Sequence, residues 1–176
     1  MLPNIALIGF MGCGKSSVGR RLAVLTGHRF VDTDDLIVQA ERRSIAEIFA
    51  SEGEEHFRVI EKRVLSELVG VCGVVLSTGG GLVLDPENCA SLRKVATVAW
   101  LDADPDVLFE RATRTSRRPL LQTQNPRLRF DELLEKRIPI YTEFSDFRVD
   151  STGIGHDEAA AQILDLTLRH RRRFDC

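Results

Sequence analysis

The sequence predicts a three-layer α/β fold in which helices cover a mostly parallel sheet. Short apolar segments of strand length alternate along the chain with longer segments whose apolar residues have helical spacing. The first apolar segment, residues 4–8, ends at Gly9, which is typical of a buried parallel strand. The 176 residues, 43% of them hydrophobic and 28% charged, are enough for one domain with a sizeable core. We therefore expect a single domain over residues 1–176.

The individual elements follow from apolar spacing and from capping signals. The expected strands are residues 4–8, 29–31, 74–76, 95–101 and 147–149. The expected helices begin near Lys15, Ser44, Glu54, Asp104, Phe130 and His156. Gly27 ends the first helix and Gly53 the second, whose start at Ser44 and Glu47 has the capping-box pattern. Pro105 occupies the first turn of its helix, as proline often does.

Charge and composition argue against two classes of partner. Lys and Arg total 24 against 26 Asp and Glu, a formal net charge of -2, which is unlike a general binder of nucleic acid or anionic membranes. No apolar run approaches the ~20 residues of a membrane span. The N-terminus lacks the basic residues that begin a secretory signal. The 4 cysteines show neither a CxxC motif nor the spacing of zinc ligands. We expect a reduced cytoplasmic protein with no zinc site.

Residues 9–16 match the phosphate-binding pattern G-x-x-x-x-G-K-[ST] between a predicted strand and a predicted helix. Glycines let backbone N–H groups surround phosphate oxygens, and the helix N-terminus adds partial positive charge. Lys15 is expected to reach the β- and γ-phosphates, and the Ser16 hydroxyl to ligate Mg²⁺. The pattern therefore predicts a site for a nucleoside triphosphate. The chain contains no Asn-Lys-x-Asp guanine motif, which argues against a GTPase switch.

A kinase must also hold an acceptor hydroxyl in line with the γ-phosphate and exclude water. Asp32 and Asp34 follow the second predicted strand, whose carboxyl end lies beside the phosphate loop in a parallel sheet. Asp32 is a candidate for holding Mg²⁺ through water, and Asp34 for accepting a hydrogen bond from the acceptor hydroxyl. The same aspartates would equally suit the start of a helix, and their spacing alone does not decide between the two roles.

Arginines and glycines elsewhere are further candidates for the acceptor side. Arg58, Arg118 and Arg137 would suit an anionic acceptor, because a guanidinium pairs with a carboxylate through two hydrogen bonds. With 20 arginines in the chain, any one of them taken alone is more often a surface residue. Gly79, Gly80 and Gly81 directly follow a strand, which favours close approach of the backbone to a ligand, with a plain loop as the alternative.

In combination, these motifs resemble those of the shikimate kinase family, which belongs to the nucleoside-monophosphate-kinase-like P-loop class. The resemblance extends over about residues 4–149. Two departures are small: Cys13 stands where Ala or Ser is common, and Ser17 replaces the usual Thr. The motifs are Gly-Phe-Met-Gly-Cys-Gly-Lys-Ser-Ser-Val-Gly at 9–19, Asp-Thr-Asp at 32–34, Ser-Ile-Ala-Glu-Ile-Phe at 44–49, Gly-Glu at 53–54, Phe57-Arg58, Ser-Thr-Gly-Gly-Gly at 77–81, Arg-Arg-Pro-Leu-Leu at 117–121, and Arg137 with Pro139 and Tyr141.

The resemblance implies a kinase that uses ATP to phosphorylate the 3-hydroxyl of shikimate, in the pathway to chorismate and aromatic amino acids. It implies a P-loop kinase fold with a five-stranded parallel sheet of order 2-3-1-4-5, a substrate-binding lobe at about 32–62 and a lid at about 113–125. It also favours a monomer. The implied catalytic residues are Lys15, Asp34 and Arg118. The implied ATP contacts are Gly12, Cys13, Gly14, Lys15, Ser16, Ser17, Arg118 and Arg111, the last stacked on the adenine. The implied shikimate contacts are Asp34, Phe49, Phe57, Arg58, Gly79, Gly80, Gly81, Arg118 and Arg137, with Ser16 and Asp32 on Mg²⁺.

Two other functions fit part of the pattern. One is another small-molecule P-loop kinase, such as a gluconate kinase or a nucleotide kinase. A neutral or phosphorylated acceptor would not need Arg58 and Arg137 around Asp34. The other is a nucleotide sensor without catalysis, which would not need Lys15, Asp34 and Arg118 to be intact. The arginine-rich segment 169–173 matches no motif.

Overall fold

Five parallel strands form the sheet that the sequence predicts. The computed structural model describes residues 2–114 and 119–170. The strands are β1 (Asn4–Ile8), β2 (Arg29–Asp32), β3 (Val74–Ser77), β4 (Ala96–Asp102) and β5 (Phe147–Asp150). Their order is β2-β3-β1-β4-β5, and all four pairings are parallel. The expected order 2-3-1-4-5 and the three-layer class, with helices on both sides of the sheet, are confirmed.

The described helices are α1 (Lys15–Thr26), α2 (Thr33–Glu41), α3 (Ile45–Ser66), α4 (Pro86–Val95), α5 (Pro105–Thr113), α6 (Pro126–Phe144) and α7 (His156–His170). Two of them, α2 and α4, are absent from the sequence prediction. Both carry a clear start signal, because the Asp32 and Asp85 side chains each accept a hydrogen bond from the N–H two residues ahead. Helix α6 begins at Pro126 after an Asn125 cap, four residues before the expected start at Phe130.

Helix α3 bends at Gly53 where the sequence predicts that one helix ends. The capping box at its start is present, since Ser44 Oγ accepts from Glu47 N at 3.2 Å and Glu47 Oε2 accepts from Ser44 N at 2.7 Å. At Gly53 the backbone adopts φ 81° and ψ -176°, and a second helical segment follows directly. The bend lets Phe49, before it, and Phe57, after it, meet with ring centroids 4.8 Å apart.

The buried apolar residues divide into two clusters. The larger surrounds the sheet and includes Ile5 to Ile8 of β1, which are fully buried. The smaller joins α2 to α3 through a separate set of side chains: Ile37, Ile48, Phe57, Ile60 and Val64. In the described ranges, no helix combines the length and the apolar character needed to cross a bilayer. Helices α2 and α3 thus have a core of their own beside the main one.

Candidate active site

The carboxyl ends of β1, β2 and β3 open onto one cavity of about 930 Å³. The phosphate loop, the start of α2, the segment Gly79–Gly81 (here called the glycine loop) and side chains of α3, α5 and α6 line it. Among the residues predicted for the site, the cavity lining contains Gly12, Gly14, Lys15, Ser16, Ser17, Asp32, Asp34, Phe49, Phe57, Arg58, Gly79, Gly80, Gly81, Arg111 and Arg137. The fold therefore brings together residues that are spread over more than 120 positions of the chain.

The phosphate loop has the conformation that its glycines permit. Gly12 and Gly14 have φ of 86° and 92°, a region that other residues rarely adopt. A β-carbon on Gly12 would also collide with the Leu108 carbonyl oxygen of α5. Lys15 Nζ donates to the carbonyl oxygens of Gly9 at 2.8 Å and Phe10 at 3.1 Å. The ammonium group is therefore held over the loop, where phosphate oxygens would replace these carbonyls.

Among the described residues predicted for the site, Cys13 is not part of the cavity lining. The Cys13 side chain is buried, with Sγ 3.5 Å from Lys15 Nζ, and its N–H donates to Phe10 O. The buried thiol thus packs within the loop, while neighbouring residues of the loop line the cavity. Arg118 lies outside the described residues, as does part of the expected lid. The described part of that segment includes a short turn, Pro119–Leu121, and Leu120 and Gln122 line the cavity.

Asp32 caps α2 with one carboxylate oxygen and leaves the other facing the phosphate loop. Its Oδ1 accepts from Asp34 N at 3.1 Å and so caps α2. Its Oδ2 accepts from Ser16 Oγ at 2.7 Å, and Ser16 Oγ lies 3.4 Å from Ser77 Oγ. Mg²⁺ prefers hard oxygen ligands of this kind and commonly takes one or two from the protein beside substrate phosphates. The hydroxyl and carboxylate oxygens of Ser16 and Asp32 therefore fit a magnesium ion at the phosphate loop.

A buried ion pair occupies the opposite side of the cavity. Arg58 donates through Nη1 to Glu61 Oε2 and through Nη2 to Glu54 Oε1, both at 2.8 Å. The Glu61 side chain is 0% exposed, whereas that of Glu54 is 50% exposed. Burial raises the pKa of Glu61; Arg58 opposes this increase in pKa, and the Asp34 carboxylate adds to it. Arg58 is thus fixed in orientation by one buried partner and one that water reaches.

Glu61 is the principal site residue that sequence reasoning missed. Its signal was weak, because an acid three residues after Arg58 on a helix usually makes only a surface pair. Its burial depends on β3, which brings the glycine loop against α3. A β-carbon on Gly79 would lie 2.7 Å from Glu61 Oε1 and 3.0 Å from Asp34 Oδ1. One on Gly81 would lie 2.7 Å from Arg58 Cζ.

The lack of side chains in the glycine loop has a second cause, which the sequence did not predict. From its position after a strand, the loop is predicted to let a ligand approach its backbone. The structure shows that the charged side chains of Asp34, Glu61 and Arg58 occupy the space beside Gly79 and Gly81. The loop must lack side chains for these three groups to converge.

Arg137 completes the charged cluster from α6. It is only 4% exposed, its guanidinium lies 5.1 Å from the centroid of the Phe10 ring, and its Nη1 donates to Gly80 O at 3.2 Å. Tyr141, one turn further along α6, donates its hydroxyl to the same carbonyl at 2.6 Å. Burial raises the pKa of the Tyr141 hydroxyl, which keeps it protonated as a donor. Arg58 and Arg137 thus place two cations around Asp34 and Glu61.

The far end of the cavity, beyond the phosphate loop, is lined by Arg111, Arg114 and His156. Arg111 Nη2 lies 3.5 Å from Ser151 O, so its planar group is only weakly held. The His156 ring, at the start of α7, comes within 3.7 Å of the position of a β-carbon on Gly14. Neither Arg114 nor His156 belongs to a motif, and no feature of the sequence marked them.

A phosphate loop facing a partly buried cluster of two carboxylates and two arginines can transfer a phosphoryl group to a small hydroxylated anion. Such a site on this fold defines a P-loop kinase of small molecules. The family model described as shikimate kinase matches residues 11–167.

Individual relatives agree with that match. A shikimate kinase of Thermodesulfovibrio yellowstonii is 44% identical over 163 residues, which are 93% of this chain and 94% of that protein. One of Caldanaerobacter subterraneus is 38% identical over 172 residues, 98% of this chain and 100% of that protein. The structure of shikimate kinase from Acinetobacter baumannii in complex with shikimate has a TM-score of 0.93 at 37% identity, covering 98% and 97% of the two chains. The chain belongs to the shikimate kinase family, as its motifs indicated.

Proposed function

We propose that this chain transfers the γ-phosphoryl group of ATP to the 3-hydroxyl of shikimate, giving shikimate 3-phosphate and ADP, in the shikimate pathway. The observation that carries the proposal is one cavity in which the phosphate loop faces Asp34, Arg58 and Arg137. Family membership supports shikimate as the acceptor, and the relative from A. baumannii has been solved with shikimate bound.

The carboxylate of the acceptor would lie between Arg137 and Arg58. Arg58 already has two carboxylate partners. If the acceptor carboxylate displaced Glu61 from Arg58, the buried Glu61 charge would be left unpaired inside the protein, which is costly. The half-exposed Glu54 can return to water. The acceptor carboxylate would therefore replace Glu54 on Arg58, and Glu61 would keep the guanidinium in place. Phe49 and Phe57 would contact the ring of the acceptor.

Asp34 would accept a hydrogen bond from the 3-hydroxyl and assist its deprotonation as the phosphoryl group is transferred. Its position at the first turn of α2 places it beside the glycine loop and across the cavity from the phosphate loop. Lys15 would leave the Gly9 and Phe10 carbonyls and donate to phosphate oxygens. Arg118 would contribute a further positive charge at the transferring group.

Ser16 and Asp32 would hold Mg²⁺. When bound, the ion neutralises negative charge on the β- and γ-phosphate oxygens. Asp32 can serve there and still cap α2, because its two oxygens face different partners. Arg111 would stack on the adenine at the far end of the cavity, where the phosphate loop meets α5.

Three broader features belong to the same proposal. The smaller apolar cluster joining α2 and α3 supports a substrate-binding lobe at about 32–62. Closure of a lid at about 113–125 would exclude water and suppress ATP hydrolysis. A monomeric, cytoplasmic enzyme is the proposed form of the protein.

The test is ADP release from Mg·ATP by the purified protein with shikimate, quinate, gluconate, AMP or no acceptor, with the product identified by mass spectrometry. We expect strong stimulation by shikimate and formation of its monophosphate. Stimulation by gluconate or AMP instead would favour another P-loop kinase. Binding of ATP with no acceptor-dependent turnover would favour a nucleotide sensor.

A further inference from the structure

The glycine loop is held by two hydroxyl groups that the proposed transfer does not use. Thr33 Oγ1 accepts from the Gly79 N–H at 2.9 Å, and Thr33 is fully buried. On the other side of the loop, the buried Tyr141 hydroxyl donates to the Gly80 carbonyl at 2.6 Å. Thr33 is on α2 and Tyr141 on α6, so the two hydroxyls hold the loop from elements on either side of it.

Because of these two hydrogen bonds, only some backbone groups of the loop remain available to bind a ligand. The Gly79 and Gly81 carbonyls accept from Leu82 N at 3.1 Å and Leu84 N at 3.0 Å. The N–H groups of Gly80 and Gly81 have no acceptor among residues 2–114 and 119–170. Backbone N–H groups inside a protein are nearly always paired, so this pair suits an acceptor atom of a ligand.

We propose that Thr33 and Tyr141 are positioning residues for the acceptor, which fix the glycine loop so that its two remaining N–H groups and the side chain of Asp34 face the acceptor together. The inference rests on the proposed function. Neither residue touches the acceptor in this arrangement.

Thr33 couples the loop to the acid that follows it in sequence. Asp34 is the next residue, and its Oδ1 lies 3.0 Å from the position of a β-carbon on Gly79. Asp32, which precedes Thr33, accepts a hydrogen bond from the Ser16 hydroxyl of the phosphate loop. One turn of chain thus sets the positions of the glycine loop, the acceptor acid and the phosphate loop relative to one another.

Tyr141 has a role that Arg137 cannot take over. Both donate to the Gly80 carbonyl, but Arg137 is the proposed partner of the acceptor carboxylate. When Arg137 turns to the acceptor, the Tyr141 hydroxyl keeps that carbonyl paired and the peptide plane fixed. Tyr141 therefore leaves the guanidinium free to bind the acceptor.

The test compares Thr33→Val, Thr33→Ser and Tyr141→Phe with the wild-type enzyme in steady-state kinetics and by calorimetric titration of shikimate. Val keeps the shape of Thr but leaves the Gly79 N–H unpaired, whereas Ser keeps the hydroxyl. We expect Thr33→Val and Tyr141→Phe each to weaken shikimate binding by about tenfold, which corresponds to ~1.4 kcal/mol. ATP affinity should stay within about twofold, and Thr33→Ser should bind shikimate nearly as the wild type does.

Thr167→Val is the matched control, because Thr167 is equally buried and donates to the Ile163 carbonyl within α7, away from the cavity. It should lower stability without changing either affinity. The double variant Thr33→Val/Tyr141→Phe should differ from the sum of the single variants, since both bonds act on one loop.

The inference is overturned if Thr33→Val and Thr33→Ser behave alike, or if shikimate and ATP affinities fall together. It is also overturned if melting temperature falls while shikimate affinity is unchanged. If Thr33→Val does not fold, Tyr141→Phe decides by the same criteria. Failure of the proposed function gives a different result, since the wild-type enzyme itself would then show no response to shikimate.

Discussion

At the scale of single residues, the site depends on carboxylates in unequal surroundings. Asp34 stands at the start of a helix beside the cavity, and Asp32 divides its two oxygens between a helix cap and the Ser16 hydroxyl. Glu61 is sealed from water and paired with Arg58. The three acids therefore differ in surroundings: Asp34 lines the cavity, where we propose that the acceptor binds, Asp32 faces the phosphate loop, and Glu61 pairs with Arg58.

Asp34→Asn should abolish turnover while leaving the fold and ATP binding intact. The amide has nearly the same shape but cannot accept the proton of the acceptor hydroxyl. We expect kcat to fall by about 10²–10⁴-fold, the range typical of a lost general base. Rapid-quench measurement of shikimate 3-phosphate and calorimetric titration of ATP would check both parts. A kcat within threefold of the wild type would remove Asp34 from the mechanism.

Glu61→Gln should change the pH dependence of stability. Burial raises the pKa of Glu61 above its ordinary value of 4.5, so the folded state retains this proton to higher pH than the unfolded chain. Stability of the wild type therefore falls as pH rises from 4.5 through the raised pKa, because there the folded state binds more protons. Gln does not titrate, so this decrease should be absent in the variant.

Urea denaturation of wild type and Glu61→Gln at several pH values would measure this difference. As pH rises, the free energy of unfolding of Glu61→Gln should increase relative to that of the wild type. The ion pair with Arg58 is already included in this difference, because it forms only when Glu61 is ionised. Two curves that run parallel as pH rises above 4.5 would contradict the raised pKa.

At the scale of elements, the parts predicted from sequence are those with local causes. The strands β1 and β4 are mostly apolar, and the phosphate loop is fixed by the conformations that Gly12 and Gly14 allow. Helix α2 was missed because the same aspartates also matched a metal site, and the sequence does not show that one oxygen of Asp32 caps the helix while the other faces Ser16. Glu61 and Tyr141 were missed as site residues because their contacts with the glycine loop exist only after β3 and α6 have packed.

Gly53→Ala should disturb the bend of α3. At Gly53 φ is 81° and ψ is -176°, a region that is essentially restricted to glycine. Apart from the adjoining backbone of α3, no atom of the described residues lies within 4 Å of an added β-carbon. The cost is therefore backbone strain of ~1–3 kcal/mol, measurable by urea denaturation. Shikimate affinity should also fall, because Phe57 and Arg58 follow the bend. Gly155→Ala is the control, since it also has open space but no positive φ, and it should change neither property.

At the scale of the whole molecule, the two apolar clusters divide the site between them. The phosphate loop leaves β1, at the centre of the larger cluster, whereas Phe57 and the neighbouring Arg58 belong to the helix that the smaller cluster holds. The end of the cavity at the phosphate loop is therefore supported by the sheet. The end at Phe57 and Arg58, where we propose that the acceptor binds and which we call the acceptor end, is supported largely by α2 and α3. Regions with separate cores can open separately, with free energies below that of global unfolding.

Ile48→Ala should loosen the acceptor end alone. Ile48 is fully buried in the smaller cluster, and truncation of such a side chain costs ~2–5 kcal/mol. We expect faster amide hydrogen exchange in α2 and α3, weaker shikimate binding, and unchanged ATP affinity and exchange in α1. The matched control is Ile5→Ala, since Ile5 is fully buried in the larger cluster, and it should speed exchange throughout the sheet. If Ile48→Ala accelerates exchange in α1 as much as in α3, the two clusters unfold as one unit and the acceptor end has no independent opening.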